Sequence, residues 1–313
     1  MMILLMLFVL AGLPKTWCLP SCSEFASLTC TYTNCPSLVV TCNPGFDLPS
    51  VTKTLKGRKV EILHLKGYDN PVLPGGVFTG NQIKKLVLES PTIKILVNPE
   101  NTQVSPFAGL EDQLEVLEVI KAKDAFSWMW EHVAPLRTLK KIIFSESGLF
   151  YISDYFLKVF PNIMVIDLQA CNVHWIDKNA FRHLKDIRMI SLKRNSLKKI
   201  QPSYFSGQNK LWDLDLSYNQ IEIIQSKSFD NMPELSSLHL DNNKLTELDF
   251  KTFHGVWKTV RHLWLHENPL HCSYPDICWL KNTTYPMFAG SAKCSFPKKL
   301  VNRNIAFLEF SEC

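Results

Sequence analysis

One apolar pattern that returns nine times constrains this chain more than any other feature of its sequence. Each copy has apolar residues at positions i, i+3 and i+5, most copies have them at i+10 and i+13 as well, and several copies have asparagine at i+8. Successive copies start 23 to 25 residues apart, with one spacing of 31, at Val60, Ile83, Leu114, Leu139, Ile163, Ile187, Leu211, Leu235 and Val260. One such unit cannot cover its own apolar face, so the period predicts stacked units that share one continuous core.

The positions within a copy predict its local structure. Alternate residues of a strand share a face, so the apolar pair at i+3 and i+5 predicts a short strand whose two side chains point inward. The amide at i+8 is expected to satisfy buried peptide groups as a ladder through Asn195, Asn219, Asn243 and Asn268. The same position holds Tyr68, Pro91, Ala122, Ser147 and Cys171 in the earlier copies. The sequence therefore leaves the ladder and curvature of the front half open, whereas Cys171 is expected to be a small buried ladder residue.

Aromatic residues suggest a second line of packing. A phenylalanine precedes many copies by six or seven residues, at Phe107, Phe181, Phe205, Phe229 and Phe253. We expect these rings to pack behind the strands as a spine. Phe126, Trp128 and Trp130 are expected to join the core in the same layer.

Cysteine placement indicates the compartment. Of the ten cysteines, all but Cys171 lie between residues 18 and 42 or between residues 272 and 313. No CxxC pair occurs, which favours disulfides over metal clusters. The apolar run Ile3 to Leu13 is too short to span a bilayer and is typical of a signal peptide cut near Cys18. The rest of the sequence contains no apolar run long enough for a membrane span and no hydrophobic tail typical of a lipid anchor. We therefore expect a secreted chain.

The repeats and their flanking cysteines resemble a known superfamily. Asn268-Pro269-Leu270-His271-Cys272, with Cys278-Trp279-Leu280 after it, is similar to the C-terminal cap of extracellular leucine-rich-repeat proteins. That superfamily includes Toll-like receptor ectodomains, Slit-type modules and small matrix proteoglycans. The resemblance covers essentially the whole mature chain and implies an α/β solenoid. This would be a leucine-rich-repeat horseshoe with a parallel concave β-sheet and disulfide-capped N- and C-termini.

The resemblance also implies boundaries and cysteine pairs. It divides the chain into a signal peptide (1–18), an N-terminal cysteine-rich cap (19–59), about nine leucine-rich repeats (60–271) and a C-terminal cysteine-rich cap (272–313). The family pairing, first with third and second with fourth, would give Cys22–Cys35, Cys30–Cys42, Cys272–Cys294 and Cys278–Cys313. Leu38 to Cys42 is the expected capping strand at the front.

One segment resembles a narrower group. Residues 105–115, which read SPFAGLEDQLE, follow the enlarged copy that starts at Ile83. They are similar to secreted arthropod proteins that include the non-catalytic subunit of deep-sea shrimp (Oplophorus-type) luciferase. In that complex a separate small subunit carries the chemistry. The resemblance therefore implies fold, secretion and absence of catalysis, without implying luminescence here.

The concave strand face is the predicted partner-binding surface. Positions i+2, i+4, i+6 and i+7 point outward there, and Asp215, His239 and Trp264 should lie side by side on neighbouring strands. Aromatic anchors with mixed charges suit a protein-binding hot spot, although an ordinary solvated sheet face is the plainer alternative. The candidate residues are Asp167, Lys193, Arg194, Asp213, Asp215, Tyr218, His239, Asp241, His262, Trp264 and His266.

Three other candidate features have weaker support in the sequence: a histidine metal site, a glycosylation motif and an enlarged copy. His262 and His266 lie about 13 Å apart at strand rise, so they cannot close one metal site, and no metal or cofactor is expected. Asn282-Thr283-Thr284 is the sole acceptor motif for N-glycosylation, which would place Asn282 on the surface. The enlarged copy carries about seven extra residues, expected as a loop at Val97–Ser105, either structural variation or a binding loop.

These features predict a binding protein rather than an enzyme. The motifs GxSxG, HExxH, GxGxxG and the P-loop are all missing. A net charge of +5, from 34 basic and 29 acidic residues, is too small to indicate a nucleic-acid partner. We expect a secreted, non-catalytic scaffold that engages a protein through its concave face, and one version of this role is the non-catalytic subunit of a secreted complex. The alternatives are a soluble innate-immune recognition protein and a matrix component, and the oligomeric state stays open.

Overall fold

A computed structural model describes most of the chain. It covers residues 29–33, 37–96, 104–205, 207–230, 232–273, 277–282, 288–289 and 291–308. The expected signal peptide, Cys22, Cys35 and Cys313 lie outside these ranges, as does most of the expected loop at Val97–Ser105. No helix in the described part is long and apolar enough to cross a membrane.

A twelve-stranded sheet dominates the described part of the fold. In spatial order its strands are β1 (Cys30–Thr33), β2 (Leu38–Cys42), β3 (Lys59–Lys66), β4 (Gln82–Glu89), β5 (Val116–Ile120), β6 (Lys141–Ser145), β8 (Val165–Gln169), β10 (Met189–Ser191), β12 (Asp213–Asp215), β14 (Ser237–His239), β15 (His262–Trp264) and β17 (Phe288–Ala289). Strand β1 is antiparallel to β2, and every later pair is parallel.

Shorter elements lie on the other side of each turn of the solenoid. Three parallel pairs join β7 (Tyr151–Ile152) with β9 (Trp175–Ile176), β11 (Lys199–Ile200) with β13 (Ile223–Ile224), and β16 (Leu270–His271) with β18 (Cys294–Phe296). The α-helices are α1 (Leu48–Leu55), α2 (Asp154–Lys158) and α3 (Phe250–Phe253). Single 3₁₀ turns span Ala125–Ser127, Trp130–Val133, Cys278–Asn282, Lys298–Leu300 and Ile305–Phe307.

The strand register confirms the solenoid. The inward residue at i+3 pairs with its equivalent in the next copy along the whole sheet. This column contains Leu63, Leu86, Leu117, Ile142, Ile166, Ile190, Leu214, Leu238 and Leu263, each at most 1% exposed. Because one repeat stacks on the next with the same register, these side chains form one continuous core.

The expected phenylalanine spine is present, with one exception in the surrounding layer. Phe107, Phe181, Phe205, Phe229 and Phe253 are all buried. Two pairs of neighbouring rings contact each other: the ring centroids of Phe181 and Phe205 lie 5.3 Å apart, and those of Phe229 and Phe253 lie 6.1 Å apart. The expectation that Phe126 packs in the core is wrong, because its side chain is 51% exposed.

A one-residue shift explains that exception. In the copy that starts at Leu114 the inward positions are taken by Ala125 and Trp128, one residue later than the pattern predicts. Trp128 and Trp130 are buried as expected, and each indole N–H donates to a backbone carbonyl. Phe126 therefore turns outward between two inward residues.

The asparagine ladder forms in the four copies that carry asparagine at i+8. The Asn219 side-chain amide donates to the carbonyls of Leu192 and Leu216, and its oxygen accepts from the Leu197 N–H. Asn195, Asn243 and Asn268 make the equivalent bonds within their own copies and to the copy before. These buried amides satisfy peptide groups that no regular strand pairing would reach.

Two other residues extend the ladder toward the N-terminus. The Cys171 thiol donates to the Phe144 carbonyl, and burial raises the pKa of this thiol to about 12. The Ser147 hydroxyl donates to the Val119 carbonyl and accepts from the Ala122 N–H. The question that the sequence left open for the front half is thus answered for these two copies, where smaller donors replace the amide.

Strand length changes where the ladder changes. The concave strands end at i+6 from β3 to β8 but at i+4 in the four copies that carry asparagine, β10, β12, β14 and β15. In those four copies the asparagine amide donates to the carbonyl at i+5. In the first three of them the backbone N–H groups at i+5 and i+7 still donate to carbonyls of the next copy, so the side-chain bonds add to the backbone pairing.

Every copy also bends its backbone at i+7. The residue there has a φ between 51° and 59° in all nine copies: Gly67, Ser90, Lys121, Glu146, Ala170, Arg194, Tyr218, Asn242 and Glu267. This left-handed conformation strains residues that carry a Cβ. The N–H of this residue in one copy donates to the i+6 carbonyl of the next, as Tyr218 does to Asp241.

Disulfides lie at both ends of the stack. Cys30 is bonded to Cys42 and Cys272 to Cys294, which are two of the pairings that the family resemblance implies. Cys278 is also disulfide-bonded, and its expected partner Cys313 lies outside the described residues. The expected Cys22–Cys35 bond lies outside them as well. Leu38 to Cys42 forms strand β2 and pairs with β3, so the capping strand is confirmed.

The core makes a direct prediction about stability. Leu216 is fully buried, so Leu216→Ala should remove packing and leave a cavity that costs about 2–5 kcal/mol of unfolding free energy. Urea unfolding followed by circular dichroism measures this. Val301, which is 44% exposed, supplies the control, and Val301→Ala should change the free energy by less than about 0.5 kcal/mol. Equal effects of the two changes would show that the repeat register is misassigned.

Candidate functional site

The strand register brings the predicted binding residues into lanes across the concave sheet. Asp167, Ser191, Asp215, His239 and Trp264 are paired in succession from β8 to β15. Asp213 and His262 lie in the neighbouring i+2 lane, and Lys193, Asp241 and His266 in the i+6 lane. Arg194 and Tyr218 occupy the strained i+7 lane. We call this back half of the concave face, from β8 to β15, the polar zone.

An aromatic stack lies at one end of the polar zone. The His239 and Trp264 rings are nearly parallel, with centroids 3.7 Å apart. The His262 ring lies 5.6 Å from Trp264 on its own strand. Leu263 and Leu265 on either side of Trp264 point into the core, so the indole faces the concave side and is half-buried. The stack offers a flat, preorganised surface of the kind that anchors protein partners.

Carboxylates occupy the centre of the zone. Burial raises the pKa of Asp167 and that of Asp213 above their ordinary values, and the nearby Asp215 contributes to both shifts. In the described structure the Oδ1 atoms of Asp167 and Asp213 are buried and accept no hydrogen bond. His239 Nε2 lies 3.7 Å from Asp213 Oδ1, too far for a hydrogen bond. By contrast, Asp215 accepts from both the N–H and the hydroxyl of Ser217.

The i+6 and i+7 lanes add a cationic edge and further histidine contacts. Lys193 and Arg194 both lie over the Tyr218 ring, 5.4 Å and 5.3 Å from its centroid. His266 Nε2 lies 3.5 Å from Asp241 Oδ2, and Asp241 also accepts from Asn242. Tyr218 is 43% exposed, so its ring is available to a partner while the two cations hold its position.

The front half of the concave face has a different character. Its outward positions include four half-buried aliphatic residues, Ile62, Val116, Ile120 and Ile143. Charges there are paired within the chain: Lys85 Nζ lies 2.6 Å from Glu118, and His64 Nε2 lies 2.8 Å from Glu89. The sequence analysis did not single out this apolar area, although the same outward positions of the pattern identify it.

No metal-binding arrangement is found among the described residues. No group of three or more His, Cys, Asp or Glu side chains there could hold a metal ion. The side chain of Asn282 lies outside the described set, although its backbone ends the 3₁₀ turn Cys278–Asn282. The polar zone is therefore the strongest candidate for a functional site among the described residues.

Comparison with known proteins supports this architecture. The family model described as "Leucine rich repeat" matches residues 161–221 and 188–245. These matches include three of the four asparagine ladder positions and their strands. The fold is a leucine-rich-repeat solenoid. No curated protein sequence matches the chain.

Solved structures with the same fold are distant in sequence. A chain in the octameric complex of Latrophilin 3, Unc5D and the leucine-rich-repeat part of FLRT2 has a TM-score of 0.65 and 19% identity. The match covers 86% of each chain. A chain of the crystal structure of TLR13 with the RNA ssRNA13 has a TM-score of 0.63 and 19% identity. That match covers 78% of this chain and 34% of the TLR13 chain, so this leucine-rich-repeat solenoid spans about a third of that protein.

The buried carboxylates predict an unusual pH dependence of stability. The pKa of Asp167 is raised in the folded state, so its contribution to stability is fully present at low pH and is lost as the pH rises through that value. Asp167→Asn should therefore raise the melting temperature near neutral pH and have a smaller effect at a pH of about 4. Differential scanning calorimetry at the two pH values measures this.

Asp186 provides a control of opposite sign. A hydrogen bond from Lys210 lowers the pKa of this exposed carboxyl, so its contribution is present at neutral pH and is lost on acidification. Asp186→Asn should not raise the melting temperature at neutral pH. A decrease for Asp167→Asn at neutral pH would mean that the carboxylate is better satisfied than the described structure indicates.

Proposed function

We propose that this chain is a secreted, non-catalytic scaffold that binds a protein partner through the polar zone of its concave sheet. The observation that carries the proposal is the stacked His239–Trp264 pair in the same zone as Asp167 and Asp213, the buried Oδ1 atoms of which accept no hydrogen bond within the described structure. Charged groups kept at a cost to the free protein are typical of functional sites. A cationic partner side chain placed over this part of the concave surface would be attracted by these carboxylates.

The rigidity of the surface supports a protein partner. The candidate side chains project from strands that are locked by the asparagine ladder, so little conformational entropy is lost when a partner binds. Its charge disfavours nucleic acid, because Asp167, Asp213, Asp215 and Asp241 face the concavity. In inferring the class of partner we therefore give less weight to the TLR13 structure with RNA than to the protein assembly that contains FLRT2.

We propose further that the chain serves as the non-catalytic subunit of a secreted complex. The N-terminal apolar run and the terminal disulfides support secretion, since disulfides persist in oxidising compartments. The segment at residues 105–115 that resembles the shrimp luciferase subunit group supports the subunit role. A subunit should co-purify with its companion at fixed stoichiometry, whereas a soluble immune receptor should bind glycan or lipid arrays and a matrix protein should resist extraction.

The decisive experiment combines isolation with a matched pair of tryptophan variants. Tagged wild-type protein, Trp264→Ala and Trp212→Ala are recovered from the same native fluid, and companions are quantified by mass spectrometry. Trp212 is 47% exposed but lies at i+1, just before strand β12, outside the concave lanes. Trp264→Ala should lower the recovery of a stoichiometric companion by about tenfold or more, the cost of losing one hot-spot residue.

The control defines the outcomes. Trp212→Ala should recover the companion as the wild type does, and all three proteins should be secreted equally. A companion retained by Trp264→Ala would place the contact elsewhere on the solenoid. A wild-type protein that recovers no companion at all would count against the subunit role and lead to glycan and lipid screening.

A further inference from the structure

A stripe of exposed apolar side chains runs along the solenoid outside the concave sheet. Its members are Phe126, Phe150, Tyr151, Trp175 and Ile223, which are 51%, 38%, 52%, 47% and 59% exposed. None of them belongs to the polar zone, and the proposed partner contact does not involve them. We call this surface the lateral stripe.

Contacts make the stripe continuous. The rings of Phe126 and Phe150 pack edge to face, 5.5 Å apart. Tyr151 is paired with Trp175 between β7 and β9, and Lys199 is paired with Ile223 between β11 and β13. Lys199 bridges the two parts, because its Nζ lies 5.6 Å from the centroid of the Trp175 ring. A contiguous exposed apolar patch of this kind on a folded protein marks an interaction surface.

The charges of the stripe are arranged asymmetrically about Trp175. One repeat before Trp175 the exposed positions hold two rings, Phe150 and Tyr151. One repeat after it the equivalent positions hold two ammonium groups, Lys198 and Lys199. Neither lysine has an ion-pair partner among the described residues. The stripe therefore carries aromatic rings on one side of its centre and unpaired cations on the other.

The stripe is complementary to the stripe of a second copy that runs in the opposite direction. A two-fold axis through Trp175, perpendicular to the direction of stacking, places Trp175 against its own copy. It also places Phe150 and Tyr151 of each copy against Lys198 and Lys199 of the other, where the ammonium groups can lie over ring faces. The Phe126 end then meets the Ile223 end. The same surface used on both copies is the isologous interface of a closed dimer.

The opposite orientation is unfavourable. If two stripes met in the same direction, Lys198 and Lys199 would face their own copies, and like charges would repel. The pairing of ammonium groups with aromatic rings thus selects both the occupant and its direction. We propose that the lateral stripe is the interface of an antiparallel homodimer, with a second copy of this chain as its partner and Trp175 on the two-fold axis. The dimer leaves both concave sheets free, so it is independent of the proposed function.

Sedimentation velocity over a range of protein concentrations tests the proposal. The wild-type protein should sediment as a dimer with about twice the mass that mass spectrometry gives for the secreted chain. Trp175→Ser should raise the dimer dissociation constant by at least about tenfold. Trp212→Ser is the matched control, since Trp212 is equally exposed at 47%, and it should leave the dissociation constant unchanged. Circular dichroism checks that both variants fold.

Two further variants test the geometry. Trp175→Cys should give a disulfide-linked dimer under mild oxidation, because the residue faces itself across the axis, whereas Trp212→Cys should not. Replacing Lys198 and Lys199 together with Gln should weaken the antiparallel dimer, whereas it would strengthen a same-direction dimer by removing repulsion. A wild-type protein that stays monomeric at the highest concentration, or equal effects of the Trp175 and Trp212 changes, would overturn the proposal.

Discussion

Satisfaction of buried peptide groups between neighbouring turns is the constraint on which the rest of this structure depends. Each turn buries its apolar column only if the backbone that follows the strand can bend sharply without leaving polar groups unpaired. The amides of Asn195, Asn219, Asn243 and Asn268 meet this need in the back half, and the thiol of Cys171 and hydroxyl of Ser147 meet it further forward. The continuous core follows from that repeated solution.

The same constraint shapes the surface. Where asparagine occupies i+8, the regular strands end at i+4, and these four copies carry most of the polar zone. From β3 to β6, where asparagine is missing, the strands run two residues further, and the concave face mixes aliphatic side chains with charged ones such as the paired Lys85 and Glu118. A scaffold of one repeating fold thus presents two chemically distinct halves on a single sheet.

Most of the architecture could be predicted from the sequence because strand alternation and a 24-residue period leave no freedom of register. Leu214 and Leu216 had to point inward, and Asp215 therefore had to face the concavity beside His239. What could not be predicted depends on neighbours rather than on pattern. The ladder role of Ser147 needs the Ala122 N–H and Val119 carbonyl of the preceding copy, and the outward turn of Phe126 needs the one-residue shift that places Ala125 and Trp128 inside.

The polar zone shows a similar limit. Its members could be listed from their positions, but the parallel His239–Trp264 stack and the unsatisfied oxygens of Asp167 and Asp213 result from side-chain packing that a linear pattern does not encode. The lateral stripe was missed for the opposite reason. Its rings occupy positions that the repeat leaves unspecified, so their alignment is visible only once the turns are stacked.

At the nine i+7 positions the left-handed backbone belongs to the fold, whereas the side chain belongs to the surface that a partner would meet. Glycine or asparagine would adopt this conformation at lower cost, yet Lys121, Glu146, Arg194, Tyr218 and Glu267 carry longer side chains there. The lane is thus a natural set of positions for engineering. Exchange of these residues for glycine or asparagine would relieve backbone strain while erasing one surface feature at a time, so a stabilised scaffold with a blank or re-patterned edge could be built without touching the core.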